Sequence, residues 1–196
     1  MNPFLPPHSQ RNLVLASRSP RRVEIMRGLG FEFAVEAAPE HLEDDFDHHD
    51  VFAVPELLAA RKCAHVAARR PDRVVIAADT VVIVDDVILN KPADDQEAAR
   101  FLRRLAGRSH TVVTGVCIRC DARATALAGS ERTRVTFRDL DDDEIARYVA
   151  TGEGRDKAGS YAAQGVGAGL IRSVDGCFFN VVGLPVARLL DMLGRV

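Results

Sequence analysis

The sequence is poor in lysine and cysteine. Among its 196 residues the only lysines are Lys62, Lys91 and Lys157, and the four cysteines are Cys63, Cys117, Cys120 and Cys177. Neither sign of charge dominates, with 26 Lys and Arg against 28 Asp and Glu and a formal net charge of −2. Such a balance gives no broad electrostatic footprint for nucleic acid or for an anionic membrane. No apolar run approaches the roughly 20 residues that a membrane-spanning helix needs. The opening M-N-P-F-L-P-P-H-S-Q lacks the charged and apolar regions of a secretory signal, so a cytoplasmic protein is expected. Its prolines predict a loose leader over residues 1–11 that packs little, ahead of one domain over 12–196. Cys117 and Cys120 form C-x-x-C, but no second such pair or paired histidines complete a zinc set. They lie in V-V-T-G-V-C-I-R-C, a strand pattern in which residues three apart face opposite sides, which predicts a structural or incidental role.

What is present suffices for a folded core: 47% of the residues are hydrophobic, enough for one compact domain or two lobes sharing a cleft. The most informative stretch is L-V-L-A-S-R-S-P-R-R over Leu13–Arg22. Leu13-Val14-Leu15-Ala16 has the length and composition of a buried strand. Ser19 suits an N-cap and Pro20 the first helical position, and Gly28 or Gly30 can end the helix. Two serines and three arginines are thereby delivered to a helix N-terminus, whose free N–H groups and partial positive charge favour phosphate. Arginine adds a planar fork of donors. Without an anion, arginines there would oppose the helix dipole.

Further along, Phe31–Ala37 and Val74–Ala78 read as strands, the latter running into Asp79-Thr80. Pro55 opens a helix that ends near Arg69-Arg70-Pro71. Asp85-Asp86 marks a hairpin turn between Val81–Val84 and Val87–Leu89. Asp94 or Asp95 caps a helix that Gly107 ends, and Asp141-x-x-Glu144 starts another. Thr111–Arg119, Thr125–Ala128 and Thr133–Phe137 suggest a meander, Phe178–Val182 is strand-like, and Pro185 opens a terminal helix. Thr151–Gly169 reads as a functional, glycine-rich loop. Helices alternate with strands early and strands cluster in the middle. The expected class is α/β, with a mixed twisted sheet, flanking helices and two lobes around a central cleft.

Asp79 is the sharpest single residue, a carboxylate at the mouth of an apolar strand, where open α/β sheets place ligands. The three lysines offer compact point-charge partners for phosphate. Glu43, Asp44, Asp45, Asp47 and Asp50 offer hard oxygens suited to Mg²⁺ or Mn²⁺, without the order of a calcium loop. His48 and His49 are read as solvating that loop. The segment G-E-G-R-D-K-A-G-S-Y-A-A-Q-G-V-G-A-G lacks G-K-[ST] and is no P-loop. In it, Gln164 can present a donor and an acceptor to the edge of a base.

In this order the pieces resemble the Maf family of nucleoside triphosphate pyrophosphatases over about Asn12–Leu193. The resemblance is carried by L-A-S-R-S-P-R-R (15–22), A-A-P-E-H-L-E (37–43), L-A-A-R-K-C-A (58–64) and A-A-D-T-V-V (77–82). It continues through N-K-P (90–92), L-A-G-R-S-H-T-V-V-T-G-V (105–116), D-K-A-G-S-Y-A-A-Q-G (156–165) and V-V-G-L-P-V (181–186). The resemblance implies cleavage of an NTP between its α- and β-phosphates with a divalent metal. It also implies a two-lobed α/β fold related to inosine triphosphatases, and a homodimer. It places a general base at Asp79. Phosphate and metal machinery falls at Ser17, Arg21, Arg22, Glu43, Lys62 and Lys91, with Glu43 as a metal ligand and Asp79 either deprotonating the water or holding the metal with it. Base discrimination falls at Thr80 and Gln164.

Arg21, Thr80 and Gln164 match the dTTP/UTP-hydrolysing members. A subgroup acting on 7-methyl-GTP has tryptophan, Asp-Gln and Glu-Gly at these places. Leu42 departs from the acidic residue usual before Glu43, and Ala162-Ala163 from the usual Gly-Ile. The alternatives are a pyrophosphatase for 7-methyl-GTP or another modified NTP, and a non-catalytic nucleotide-binding regulator of septum formation.

Overall fold

The computed structural model describes residues 1–43 and 50–196, with the side chain of Glu43 outside the description. The helices are α1 (Pro20–Gly28), α2 (Val54–Ala67), α3 (Asp95–Leu105), α4 (Asp142–Ala150), α5 (Phe178–Val182) and α6 (Val186–Leu193). The strands are β1 (Leu13–Leu15), β2 (Phe33–Val35), β3 (Val74–Val84), β4 (Val87–Leu89), β5 (Ser109–Cys120), β6 (Thr125–Phe137) and β7 (Ile171–Asp175). They form a mixed seven-stranded sheet in the order β2-β1-β3-β5-β6-β7, with β4 added to β3. The α/β class with a mixed sheet is thus the observed one. Among the described residues no helix is long and apolar enough to cross a membrane. The chain divides into two compact units, Met1–Asp79 with Thr114–Glu131 and Gly183–Val196, and Thr80–Val113 with Arg132–Val182.

In the first unit, β1 pairs in parallel with β2 and with β3, Leu13 opposite Val74 and Leu15 opposite Ile76. Parallel strands are covered on both faces, which is why Leu13–Ala16 and Val74–Ala78 are apolar at every position. Leu13, Leu15, Ile76 and Ala78 join Met26, Ile118, Leu184 and Leu189 in one cluster. Val14, Ala16, Val75 and Ala77 join Ala59, Cys63 and Val66 of α2 in another. Cys117 belongs to the second cluster and Cys120 to the first, so the C-x-x-C pair is split between faces as the strand period requires. All four cysteines are free. At Gly115 an added Cβ would stand 2.2 Å from the carbonyl oxygen of Pro55, so only glycine lets β5 approach the start of α2 this closely.

The N-terminal residues are not a loose leader. Asn2 N–H donates to Gln10 Oε1 at 2.7 Å, and Gln10 Nε2 donates to the carbonyls of Asn2 (2.9 Å) and Leu5 (2.6 Å). Asn2 Nδ2 reaches the Leu29 carbonyl at 2.9 Å. Buried polar groups that find partners of this kind overcome the poor packing of a proline-rich segment.

In the second unit β3 continues into an antiparallel pair with β4 through Asp85 (φ 52°) and Asp86 (φ 56°), the left-handed pair of a two-residue hairpin turn. Asp94 caps α3 by accepting from Glu97 N–H, and Asp141 with Glu144 forms a complete capping box on α4. Val82, Leu102, Leu105, Phe137, Ile145 and Tyr161 form the core. Three elements differ from the sequence reading. The expected meander is two long strands, β5 and β6. Ile171–Asp175, inside no expected element, forms β7 antiparallel to β6. Phe178–Val182 is helical, because buried Asn180 donates to the Val112 carbonyl and to Thr133 Oγ1, both at 3.0 Å, and a run of five cannot distinguish strand from helix by pattern.

Candidate active site

The Ser-Arg-Ser-Pro-Arg-Arg turn leaves β1 with Ala16 N–H bonded to the Ile76 carbonyl at 2.7 Å. Ser19 occupies the N-cap of α1 with extended backbone and Pro20 follows, but the Ser19 side chain makes no capping bond. The hydroxyl that organises the turn is that of buried Ser17. Its Oγ accepts from Ser19 N–H at 3.1 Å and from Arg22 Nη1 at 3.2 Å. Arg22 Nη1 also donates to the Ala78 carbonyl at 2.8 Å, and its Nε to the Gly183 carbonyl at 2.7 Å. Three of these donor contacts are to protein, so Arg22 braces the backbone immediately before Asp79. Arg18 pairs with exposed Glu40, a surface contact of little energetic weight. Arg21 is half-buried on the first turn of α1.

Asp79 lies inside β3 rather than at its end, and it is 8% exposed instead of opening to a wide mouth. The apolar Val81–Val84 keeps the chain extended past it. Asp79 is also not a solitary carboxylate. Lys62, equally buried on α2, places Nζ 2.5 Å from Asp79 Oδ1. Replacing such a buried ion pair by apolar groups is often neutral or favourable, so the pair carries little weight as a stabilising contact. Ser17, Arg22, Lys62 and Asp79 therefore form one array in the first unit. Ser17 bonds Arg22, Arg22 bonds the residue before Asp79, and Asp79 bonds Lys62.

Thr80, Lys91, Lys157 and Gln164 belong to the second unit. Thr80 directly follows Asp79 and is half-buried; Lys91 is exposed beyond β4. Gln164 is exposed at the N-cap of a 3-10 turn, Gly165–Leu170, and makes no capping bond. Lys157 is spent locally, its Nζ donating to the Glu153 carbonyl and to Asp156, both at 2.5 Å.

Glu43 closes a 3-10 turn, Glu40–Glu43. Its carboxylate, with Asp44, Asp45, Asp47, His48 and His49, lies outside the described residues, while Asp50 is exposed. Among the described residues no three His, Cys, Asp or Glu side chains gather as a metal cage. Mg²⁺ at phosphate sites is held by one or two carboxylates, with phosphate oxygens and water completing the shell. The donor chemistry of Asp79 and Glu43 fits that pattern.

The model of the family described as Maf-like protein matches residues 12–196. The dTTP/UTP pyrophosphatase of Pelotomaculum thermopropionicum is 48% identical over 185 residues, covering 94% of this chain and 96% of the relative. That of Desulforamulus reducens is 43% identical over 93% of this chain and 95% of its own. That of Koribacter versatilis is 44% identical over 93% of each. Among solved structures, the Staphylococcus aureus Ham1 protein matches 65% of this chain and 72% of its own, with 18% identity and a TM-score of 0.45.

Proposed function

The chain belongs to the Maf-like protein family, and from that premise we propose that it is a nucleoside triphosphate pyrophosphatase acting on dTTP and UTP. The products are the nucleoside monophosphate and pyrophosphate. The observation that carries the reading is the buried Lys62–Asp79 pair at 2.5 Å, next to a turn braced by Ser17 and Arg22. Relatives of the same length named for this activity support it.

In this mechanism Asp79 orients a water and takes its proton as the oxygen bonds to the α-phosphorus. The bond from that phosphorus to the bridging oxygen breaks, and pyrophosphate departs with the electron pair. Lys62 holds Asp79 in its orientation through the 2.5 Å contact, and its ammonium offsets charge that grows on the phosphoryl oxygens. Arg21 and Lys91 bind the triphosphate as charge-assisted donors. Ser17 and Arg22 fix the turn and the backbone before Asp79, so the base is held in place before substrate arrives. Asp79 and Glu43 are the residues to hold Mg²⁺ or Mn²⁺, which when bound polarises the phosphoryl group and offsets its charge. Thr80 and Gln164 read the base.

The test is pyrophosphate release from a panel of dTTP, UTP, CTP, GTP, ATP, ITP and 7-methyl-GTP with Mn²⁺ supplied. Release is expected to be fastest with dTTP and UTP. Binding without turnover of any member, or a clear preference for 7-methyl-GTP, would overturn the assignment.

A further inference from the structure

The second unit holds Gln164 by a device that the substrate does not need for charge neutralisation. On one side of Gln164, Glu153 accepts two backbone N–H groups of the glycine-rich turn, from Val166 to Oε1 at 3.0 Å and from Gly167 to Oε2 at 2.7 Å. On the other side, the Tyr148 hydroxyl accepts the N–H of Ala162 at 3.1 Å. The two anchors are joined, because the same hydroxyl donates to Glu153 Oε2 at 3.1 Å. Burial, reinforced by the neighbouring Glu153 charge, holds the Tyr148 phenol well above its ordinary pKa, so it keeps the proton that this donation requires.

The glycines show how closely the turn is drawn onto this pair. Gly165 has φ +66°, and a Cβ there would lie 2.2 Å from Glu153 Oε1. A Cβ on Gly167 would lie 2.3 Å from the Ala162 carbonyl oxygen and 2.8 Å from the Tyr148 hydroxyl. Lys157 bonds the Glu153 carbonyl and so holds the segment that carries the carboxylate. The exposed Gln164 side chain is thus mounted on backbone fixed two residues before it and two and three residues after it. It makes no capping bond that would fix it from within.

We infer that Glu153 and Tyr148 are the positioning residues for base selection, clamping the backbone on both sides of Gln164. Neither touches the reacting phosphates in this account. The inference rests on the proposed reading that Gln164 faces the base. A side-chain amide discriminates donor from acceptor only if its orientation is fixed, since a half-turn about its last bond exchanges the two. The clamp supplies the fixed backbone on which that orientation depends.

The experiment compares wild type, Glu153→Gln and Tyr148→Phe in steady-state hydrolysis of dTTP and GTP, with thermal unfolding recorded for each. Glu153→Gln keeps the shape but turns one acceptor into a donor facing an N–H. Tyr148→Phe removes one oxygen and with it the Ala162 anchor. Both variants are expected to lower the dTTP-over-GTP ratio of kcat/KM by about tenfold, the worth of one or two ordinary hydrogen bonds. The loss should appear as a raised KM for dTTP with kcat little changed. A purely structural role would lower both substrates in proportion and leave the ratio alone, and that result in Tyr148→Phe overturns the inference even if Glu153→Gln fails to fold. Absence of hydrolysis by the wild type overturns the underlying reading and the inference together. Hydrolysis by all three proteins with one unchanged ratio overturns the inference alone.

Discussion

Lys62 on α2 and Asp79 on β3 meet at 2.5 Å with side chains only 10% and 12% exposed. Each charge is tolerated in that setting because the other is there. Lys62→Met should therefore leave a buried carboxylate without its cation and destabilise the fold by about 3–5 kcal/mol. Adding Asp79→Asn to Lys62→Met should recover much of that loss. Urea unfolding of the single and double variants measures this; equal stability of wild type and Lys62→Met would show that the pair is not coupled.

Arg21→Ala and Lys91→Ala should each weaken triphosphate binding by roughly 1.5–3 kcal/mol, the worth of a hydrogen bond to a charged group. The deficit should shrink as salt rises, because screening weakens the contact in the wild type. Arg22→Ala should behave differently. It removes bonds to Ser17, Ala78 and Gly183, so a drop in melting temperature should accompany any loss of affinity. Calorimetric titration at two salt concentrations, with thermal unfolding, separates the cases. Unchanged affinity in both Arg21→Ala and Lys91→Ala would remove these residues from the phosphate site.

Gln164 can match the N3–H and a carbonyl shared by thymine and uracil, so discrimination between dTTP and UTP should be weak and CTP should be poorer. Gln164→Glu loses the donor and adds charge. It should depress dTTP turnover and alter the base ranking while leaving unfolding nearly unchanged, since the side chain is exposed. An unaltered ranking across the nucleotide panel would contradict the role.

His110 sets an acid limit on stability. It is buried, shares a 2.8 Å hydrogen bond with the Tyr161 hydroxyl, and meets Phe137 edge-on at 5.0 Å. Desolvation lowers its pKa from 6.5 to about 4. Between those values the unfolded chain binds a proton that the folded protein refuses. The contribution is thus fully present above pH 6.5 and lost as pH falls towards 4, amounting to about 3 kcal/mol. Denaturant titrations from pH 7 to pH 4 should show this slope, and His110→Gln should remove it. A wild-type profile flat across that window would contradict a buried neutral histidine.

Local chemistry made much of the fold legible. The apolar runs at Leu13–Ala16 and Val74–Ala78, the Asp85-Asp86 turn, the Asp94 cap and the Asp141–Glu144 box each follow from rules that act within a few residues. What stayed hidden depends on partners distant in sequence. Arg22 finds carbonyls at Ala78 and Gly183, 56 and 161 residues away, so its bracing role left no mark in the Ser-Pro-Arg-Arg turn itself. The partner of Asp79 stayed hidden because Lys62 comes from another element 17 residues earlier. Phe178–Val182 read as strand because its helical state is fixed by Asn180 reaching Val112 and Thr133. Glu153 and Tyr148 carry no motif of their own, and only the folded turn shows what they grip.

In the proposed reaction Asp79 directs water onto the α-phosphorus. Hydrolysis of dTTP in ¹⁸O-labelled water by wild type and Asp79→Asn tests it most directly. One ¹⁸O is expected in dTMP and none in pyrophosphate, with turnover by Asp79→Asn lower by about 10²–10⁴ and nucleotide binding retained. Label in pyrophosphate or in inorganic phosphate, or near wild-type turnover by Asp79→Asn, would contradict it.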